Sequence, residues 1–227
     1  MLISTNHGFT FLCVPKCAST SIEAAIKSYC NINFKGGTFP GKHMNARNYN
    51  KFVIPLLKNL VPHRNVMSFC LMRDPLEWIG SWFRYRARKQ LSNPSHRHHK
   101  YYTGNVSFED FILEYMSEGE RKPFANLRSQ YEFVSLDNGR IGPDYIIPLT
   151  RMDIVEELLS EKLGRNIQIP FKNTTSGKNK LSLPPDIQKR LEAYLAKDIC
   201  LYNFIQDHVL FDNKKHANQV FTALSTC

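Results

Sequence analysis

The chain has 227 residues, and thirty Lys plus Arg against twenty Asp plus Glu give it a net charge of +10. A hydrophobic share of 42% and a charged share of 22% are those of an ordinary soluble globular protein, and the length suits one larger α/β domain with a buried core. No apolar stretch is long enough to span a bilayer, and the N-terminal MLISTNHG lacks the charged-then-apolar build of a signal peptide, so a cytoplasmic location is expected. The positive balance favours an anionic ligand, whether nucleotide or nucleic acid.

In chain order, residues 9–21 (FTFLCVPKCASTS) open as a short apolar run and break at Pro15 into Lys16 and a stretch of small and hydroxylated residues. Such a pattern predicts a buried strand that delivers a cation and hydroxyls to the end of a sheet, where open α/β folds bind ligands. Thr20 and Glu23 have capping-box spacing, and Ile22, Ala25, Ile26 and Tyr29 follow at helical intervals. The helix would therefore start inside the loop, with its free N–H groups facing whatever the loop holds. Residues 35–42 (KGGTFPGK) form a Gly-rich loop, after which Asn45 caps a helix with Phe52, Val53, Leu56, Leu57 and Leu60 as its buried face.

Residues 66–85 (VMSFCLMRDPLEWIGSWFRY) repeat the first design. An apolar run ends in Arg73, Ser81 lies eight residues on, and a helix from about Leu76 carries Ile79, Trp82 and Phe83. Residues 91–106 read as a polar, histidine-rich loop, and Ser107 starts an amphipathic helix through Phe108, Phe111, Ile112 and Tyr115. Asp137-Asn138-Gly139 signals a turn and residues 144–149 (DYIIPL) a further strand. A helix over residues 152–163 is stopped by Gly164. A basic loop (173–180, NTTSGKNK) precedes Pro184 and Pro185, which open a helix through Ile187, Leu191 and Leu195. Neither a repeat nor a second domain is evident. The expectation is one domain over residues 1–227, with a central, mostly parallel sheet flanked by helices in the layout of P-loop nucleotide kinases.

The cysteines argue for free thiols. Cys13 and Cys70 sit in the apolar runs, Cys17 in the loop and Cys30 at the end of the first helix, with Cys200 and Cys227 far away in sequence. There is no CxxC pair, which speaks against a zinc site or a redox motif.

Together the two phosphate-end segments resemble the sulfotransferases that use 3′-phosphoadenosine 5′-phosphosulfate (PAPS), especially the membrane-type carbohydrate branch and its bacterial relatives. The Pro-Lys-x-x-x-Thr-Ser-like loop of that family corresponds here to Pro15, Lys16, Cys17, Ala18, Ser19, Thr20 and Ser21. By resemblance this loop would hold the 5′-phosphosulfate. The Arg-x-Pro strand end with a Ser eight residues after the Arg corresponds to Arg73, Pro75 and Ser81, which would grip the 3′-phosphate. A His before the intervening helix (His43) and a tail with Asp198 and Tyr202 extend the resemblance. The chain departs from the pattern at Cys17-Ala18, where a Gly is common, at Trp78, where many members carry Arg, and at 150–152, which replaces a common acidic residue.

The resemblance implies metal-independent in-line transfer of a sulfuryl group to an acceptor hydroxyl on a carbohydrate or small molecule. Positioning and electrostatics would supply most of the rate. Lys16 would meet the charge on the leaving phosphate, Arg73 would fork onto the 3′-phosphate, and the Ser81 hydroxyl would add a neutral hydrogen bond. His43 is the candidate base. His63, the other histidine between Lys16 and Arg73, falls at the opposite end of the sheet.

Plainer readings stand beside these. Lys16 as a surface lysine, Arg73 as an ion-pair partner of Asp74 or Glu77, and His43 as a structural neighbour of the Asn45 cap are the rivals. Glu23 reads as a capping carboxylate, Trp78, Trp82 and Phe83 as core and cleft wall, and residues 96–100 (HRHHK) together with Lys178 and Lys180 as solvated loops. Two other functions were weighed. An ATP-dependent small-molecule kinase on the same layout lacks G-x-x-x-x-G-K-[ST], and a basic nucleic-acid-binding module lacks any recognisable binding motif.

Overall fold

The computed structural model describes residues 1–36, 41–170 and 181–227. Its framework is a six-stranded sheet built from β1 (Leu2–Ser4), β2 (Phe9–Phe11), β3 (Ile32–Asn33), β4 (Met67–Met72), β5 (Tyr145–Pro148) and β6 (Phe211–Asp212). The strand order is β3-β1-β2-β4-β5-β6. The centre is parallel: β2 pairs with β4 from Phe9 opposite Met67, and β4 with β5 from Phe69 opposite Tyr145. The edges are antiparallel, where β1 pairs with β2 and β3, and β6 with β5.

β2 and β4 are buried along their whole length, Thr10 and Ser68 included, because both their faces are covered. Phe9, Phe11, Phe69, Cys70, Leu71, Ile146 and Ile147 are all buried in one continuous core. Helices connect the strands: α1 (Ser19–Ile26), α2 (Ala46–Asn48) running through a π-helical turn at Tyr49–Val53 into α3 (Ile54–Leu60), α4 (Pro75–Arg86), α5 (Phe108–Tyr115), α6 (Gln130–Val134), α7 (Met152–Leu163), α8 (Pro185–Tyr194), α9 (Ala196–Asp207) and α10 (Asn213–Thr226).

Several boundaries follow from single side chains. Asn45 accepts from the Asn48 N–H at 2.9 Å, Asp74 from Glu77 N–H at 2.8 Å, and Ser107 from Asp110 N–H at 3.0 Å. Each satisfies a donor that the first helical turn leaves unpaired. Pro185 opens α8, and Gly164 ends α7 at φ 63°, a left-handed conformation that costs a glycine nothing.

Four expectations are corrected. The helix after the first loop starts at Ser19 from a left-handed Ala18 with no side-chain cap, so Thr20 lies inside it. Glu23 instead meets Lys42 Nζ at 2.5 Å. On the helix capped by Asn45, only Val53 and Leu57 are buried, while Phe52, Leu56 and Leu60 are exposed. The histidine-rich loop contains two short 3-10 turns, Lys89–Ser92 and His99–Tyr101, and His99 Nδ1 lies 2.9 Å from the Leu91 carbonyl. Finally, Cys200 on α9 and Cys227 after α10 form a disulfide across 27 residues, because α10 folds back along α9. Cys13, Cys17, Cys30 and Cys70 are free thiols, and burial pushes those of Cys13, Cys17 and Cys30 up to about 12.

Residues 37–40 of the Gly-rich loop and all of 173–180, with Lys178 and Lys180, lie outside the described residues.

Candidate active site

Because β2 and β4 are parallel neighbours, the segments after them emerge side by side at the same edge of the sheet. The first turns at Lys16, with φ 66°, and again at Ala18, with φ 53° and ψ 21°. Within this turn the Cys17 N–H bonds the Val14 carbonyl at 3.4 Å and the Ser21 N–H the Ala18 carbonyl at 2.9 Å. The N-terminus of α1, with its positive dipole end, opens directly from the turn. Ala18 pays a steric cost there that a glycine would not. Along the loop Cys17, Ser19 and Ser21 are buried, Pro15, Lys16 and Ala18 are half-buried, and the Thr20 side chain is exposed.

Lys16 Nζ lies 4.4 Å from the centre of the Tyr85 ring and 5.8 Å from that of Trp82. Both rings belong to α4, so an aromatic platform on the second segment seats the cation of the first. Trp78, also on α4, is buried and donates its indole N–H to the Pro15 carbonyl at 2.9 Å. The position where many relatives carry Arg therefore fixes the entrance of the loop and forms part of the cleft wall.

On the second segment Arg73 pairs with Glu77, with Nη2 at 3.0 Å and Nε at 3.2 Å from Oε2. The ion-pair alternative weighed for Arg73 is thus present, one helical turn away. Ser81 follows one turn further along α4 on the same face and hydrogen-bonds to no other described side chain. Arg84 is close enough that burial first, and the Arg73 guanidinium next, lower its pKa. Arg73 and Arg84 thus both act on the Glu77 carboxylate, Arg73 by a direct ion pair and Arg84 through its charge, with Ser81 one turn on along α4.

Gln130, which nothing in the local sequence marks, ties the two segments together. Its fully buried side chain accepts from the Arg73 backbone N–H at 2.9 Å and from the Cys17 thiol at 3.2 Å, and donates to the Arg73 carbonyl at 2.8 Å. The short helix α6 that carries it has a complete capping box, Ser129 with Glu132. Buried Asp198 of α9 accepts from the Tyr131 N–H at 2.9 Å, and burial raises the Asp198 pKa to about 6.

His43 stands at the rim of a cleft lined by Val14 and Pro15 from the loop, Trp78 and Trp82 from α4, and residues 126–130. Its Nδ1 is 2.6 Å from the Cys13 carbonyl. A carbonyl only accepts, so Nδ1 carries the hydrogen, and the neutral ring presents the Nε2 lone pair. Although the side chain keeps solvent access, crowding around the ring lowers its pKa by desolvation, against the opposing effect of the Cys13 hydrogen bond. The downward shift favours the neutral imidazole, able to take a proton, at neutral pH. Arg86, also on α4, is buried against Trp82. Its guanidinium lies 5.0 Å from both the Trp82 and Tyr101 rings and donates to the Pro123 and Phe124 carbonyls.

A second, polar hollow lined by Asp144, Glu161, Lys162, Asp212 and Lys214 lies at the opposite ends of β4 and β5, away from both segments. Among the described residues no group of three or more His, Cys, Asp or Glu side chains is placed to hold a metal ion, and no helix is long and apolar enough to cross a membrane.

A family model described as the sulfotransferase family matches residues 1–205. The chain belongs to the sulfotransferase family. The match spans both phosphate-end segments, His43, Gln130 and Asp198, and stops short of α10. A comparison with curated proteins gives no match. Membership carries the general activity, transfer of a sulfuryl group to a hydroxyl-bearing acceptor.

Proposed function

We propose that this chain transfers the sulfuryl group of PAPS to an acceptor hydroxyl in the cleft beside His43, on a carbohydrate or other small molecule. The observation that supports this reading is the fastening of the two segments by Gln130, which holds the turn before α1 beside the backbone of Arg73. Two cationic sites at a fixed separation would suit a nucleotide with phosphates at both its 5′ and 3′ positions. A nucleotide lacking the 3′-phosphate would use only the first.

In the proposed reaction the 5′-phosphosulfate lies over the turn at residues 15–21, against the N–H groups at the start of α1. The 3′-phosphate takes the place of the Glu77 carboxylate on Arg73, with Ser81 and Arg84 beside it. The acceptor oxygen attacks sulfur, and the bond between sulfur and the bridging phosphate oxygen breaks. Charge then builds on the leaving 5′-phosphate, where Lys16 swings from the Tyr85 ring to meet it. His43 Nε2 takes the acceptor proton, and 3′-phosphoadenosine 5′-phosphate departs. Trp78 and Trp82 wall the acceptor side, and their apolar rings exclude competing water.

The test is which nucleotide raises the melting temperature, since a ligand that binds the native state stabilises it by mass action. 3′-Phosphoadenosine 5′-phosphate should raise it clearly more than ADP or AMP. Equal stabilisation by ADP, or stabilisation by ATP alone, would overturn the PAPS assignment.

A further inference from the structure

The helix that leaves the cleft at Asn45 has an apolar stripe wider than the core uses. Val53 and Leu57 are buried, whereas Phe52, Leu56 and Leu60, on the adjoining face, are 45%, 44% and 56% exposed. These three are half of the large hydrophobic residues that stand exposed among the described residues; the others, Tyr194, Val209 and Phe221, are scattered over α8, α10 and the turn after α9. The π-helical turn at Tyr49–Val53 contributes to this placement by changing the angular step ahead of α3.

The charge around this face is one-sided. From residue 24 to residue 73 the sequence contains no Asp or Glu, yet it carries Lys27, Lys35, Lys42, Arg47, Lys51, Lys58, Arg64 and Arg73. Three of these are compensated from outside the segment or at its end: Lys42 by Glu23, Arg47 by Asp137 and Arg73 by Glu77. Lys51, Lys58 and Arg64, which border the exposed apolar residues in sequence, are exposed and form no ion pair with a described residue. Lys51 Nζ lies 5.4 Å from the Phe52 ring centre, which holds that cation at the face, while Arg64 donates to the Thr5 and Asn6 carbonyls of the turn between β1 and β2.

We infer that the face formed by Phe52, Leu56 and Leu60 with Lys51, Lys58 and Arg64 docks on an anionic lipid surface. Aliphatic and aromatic side chains flanked by cations are what an interfacial helix needs: the apolar groups enter the acyl boundary while the lysine stems reach back to the headgroups. A second copy of this chain is a poor occupant. A two-fold contact through this face would bring the cations of one copy near the same set on the other, with no acidic residue in the segment to compensate. An acidic lipid surface supplies a continuous field of the required sign.

The experiment is co-sedimentation of the full chain with vesicles of phosphatidylcholine alone or mixed with phosphatidylserine. Light scattering of the protein without lipid would be measured in parallel. The protein should pellet with the mixed vesicles at low salt, remain in solution with neutral vesicles, and be released at about 0.5 M salt, where screening is short-ranged. The triple variant Phe52→Ser, Leu56→Ser, Leu60→Ser and the double variant Lys51→Glu, Lys58→Glu should each weaken binding about tenfold or more. Unchanged circular dichroism would show that both are folded. The inference is overturned if mixed vesicles do not bind the wild-type chain, or if both variants bind as well as it does. It is also overturned if the triple variant abolishes a dimer instead, or if only an acidic protein competes for the face.

Discussion

At the scale of single residues, the neutral Nδ1–H tautomer of His43 is the most informative feature. The Cys13 carbonyl fixes the hydrogen on Nδ1 and desolvation lowers the pKa, so the ring already has the form that the proposed base requires. His43→Ala should lower kcat by about 10²–10⁴-fold with nucleotide affinity nearly unchanged. In the wild type the acidic limb of the kcat profile should fall below the ordinary histidine range, because the group protonates only at lower pH. Loss of nucleotide binding and stability together would make His43 structural. Lys16 rests on the Tyr85 ring, so Lys16→Ala removes an exposed-side contact and a charge at the leaving group but no core packing. It should fold normally and lose about 10²–10³-fold in kcat. Near wild-type turnover would place Lys16 outside the site.

Gln130 should behave differently from both. Gln130→Ala removes a fully buried amide and leaves the backbone donor and acceptor of Arg73 without their partner. Chemical denaturation should show a loss of about 1–3 kcal/mol or more. The donor KM should rise because Arg73 is no longer held beside the loop. An unchanged KM in a destabilised protein would limit Gln130 to stability.

At the scale of elements, the parallel centre of the sheet was legible in the sequence, because residues 9–14 and 66–72 are mostly apolar runs, broken only by Thr10 and Ser68, that end in a cation-bearing loop. The edge strands β1, β3 and β6 were not, since two or three residues carry no period and become strands only by pairing. The caps at Asn45 and Ser107 were local and readable, and so was the arrest of α7 at Gly164. Gln130 was not, because its partners lie 57 and 113 residues away. The exposed stripe Phe52–Leu56–Leu60 was read as core for a related reason. Periodicity shows that a face is apolar but not whether another element covers it. The Cys200–Cys227 pairing depends on α10 returning along α9, which sequence distance conceals.

Two predictions belong to this scale. The left-handed Ala18 before α1 should be relieved by Ala18→Gly, raising stability by about 1 kcal/mol in thermal or denaturant unfolding. A loss of stability would show that the turn does not hold that conformation. Asp198 makes the contact between α9 and α6 dependent on pH. Its pKa is raised from 3.8 to about 6 in the folded chain, so between these values the native state keeps a proton that the unfolded chain has released. Stability should therefore fall as pH rises through that window and level off above it. Asp198→Asn retains an acceptor for Tyr131 N–H and should flatten that slope. An unaltered slope would assign the pH dependence elsewhere.

At the scale of the whole molecule, the account rests on one arrangement. Two adjacent parallel strands bring the loop at residues 15–21 and Arg73 to one sheet edge, and Gln130 from a distant part of the chain fastens them together. On the proposed reading each segment holds one phosphate, so only a nucleotide carrying phosphates at both its 5′ and 3′ positions would engage both. Calorimetric titration of 3′-phosphoadenosine 5′-phosphate and of ADP into the wild-type protein and into Arg73→Ala tests this most directly. The wild type should prefer the 3′-phosphorylated ligand by about 1.5–3 kcal/mol, the usual worth of a charge-assisted contact, and Arg73→Ala should abolish that preference while leaving ADP affinity unchanged. Equal affinities in the wild type, or a preference that survives in Arg73→Ala, would contradict the account.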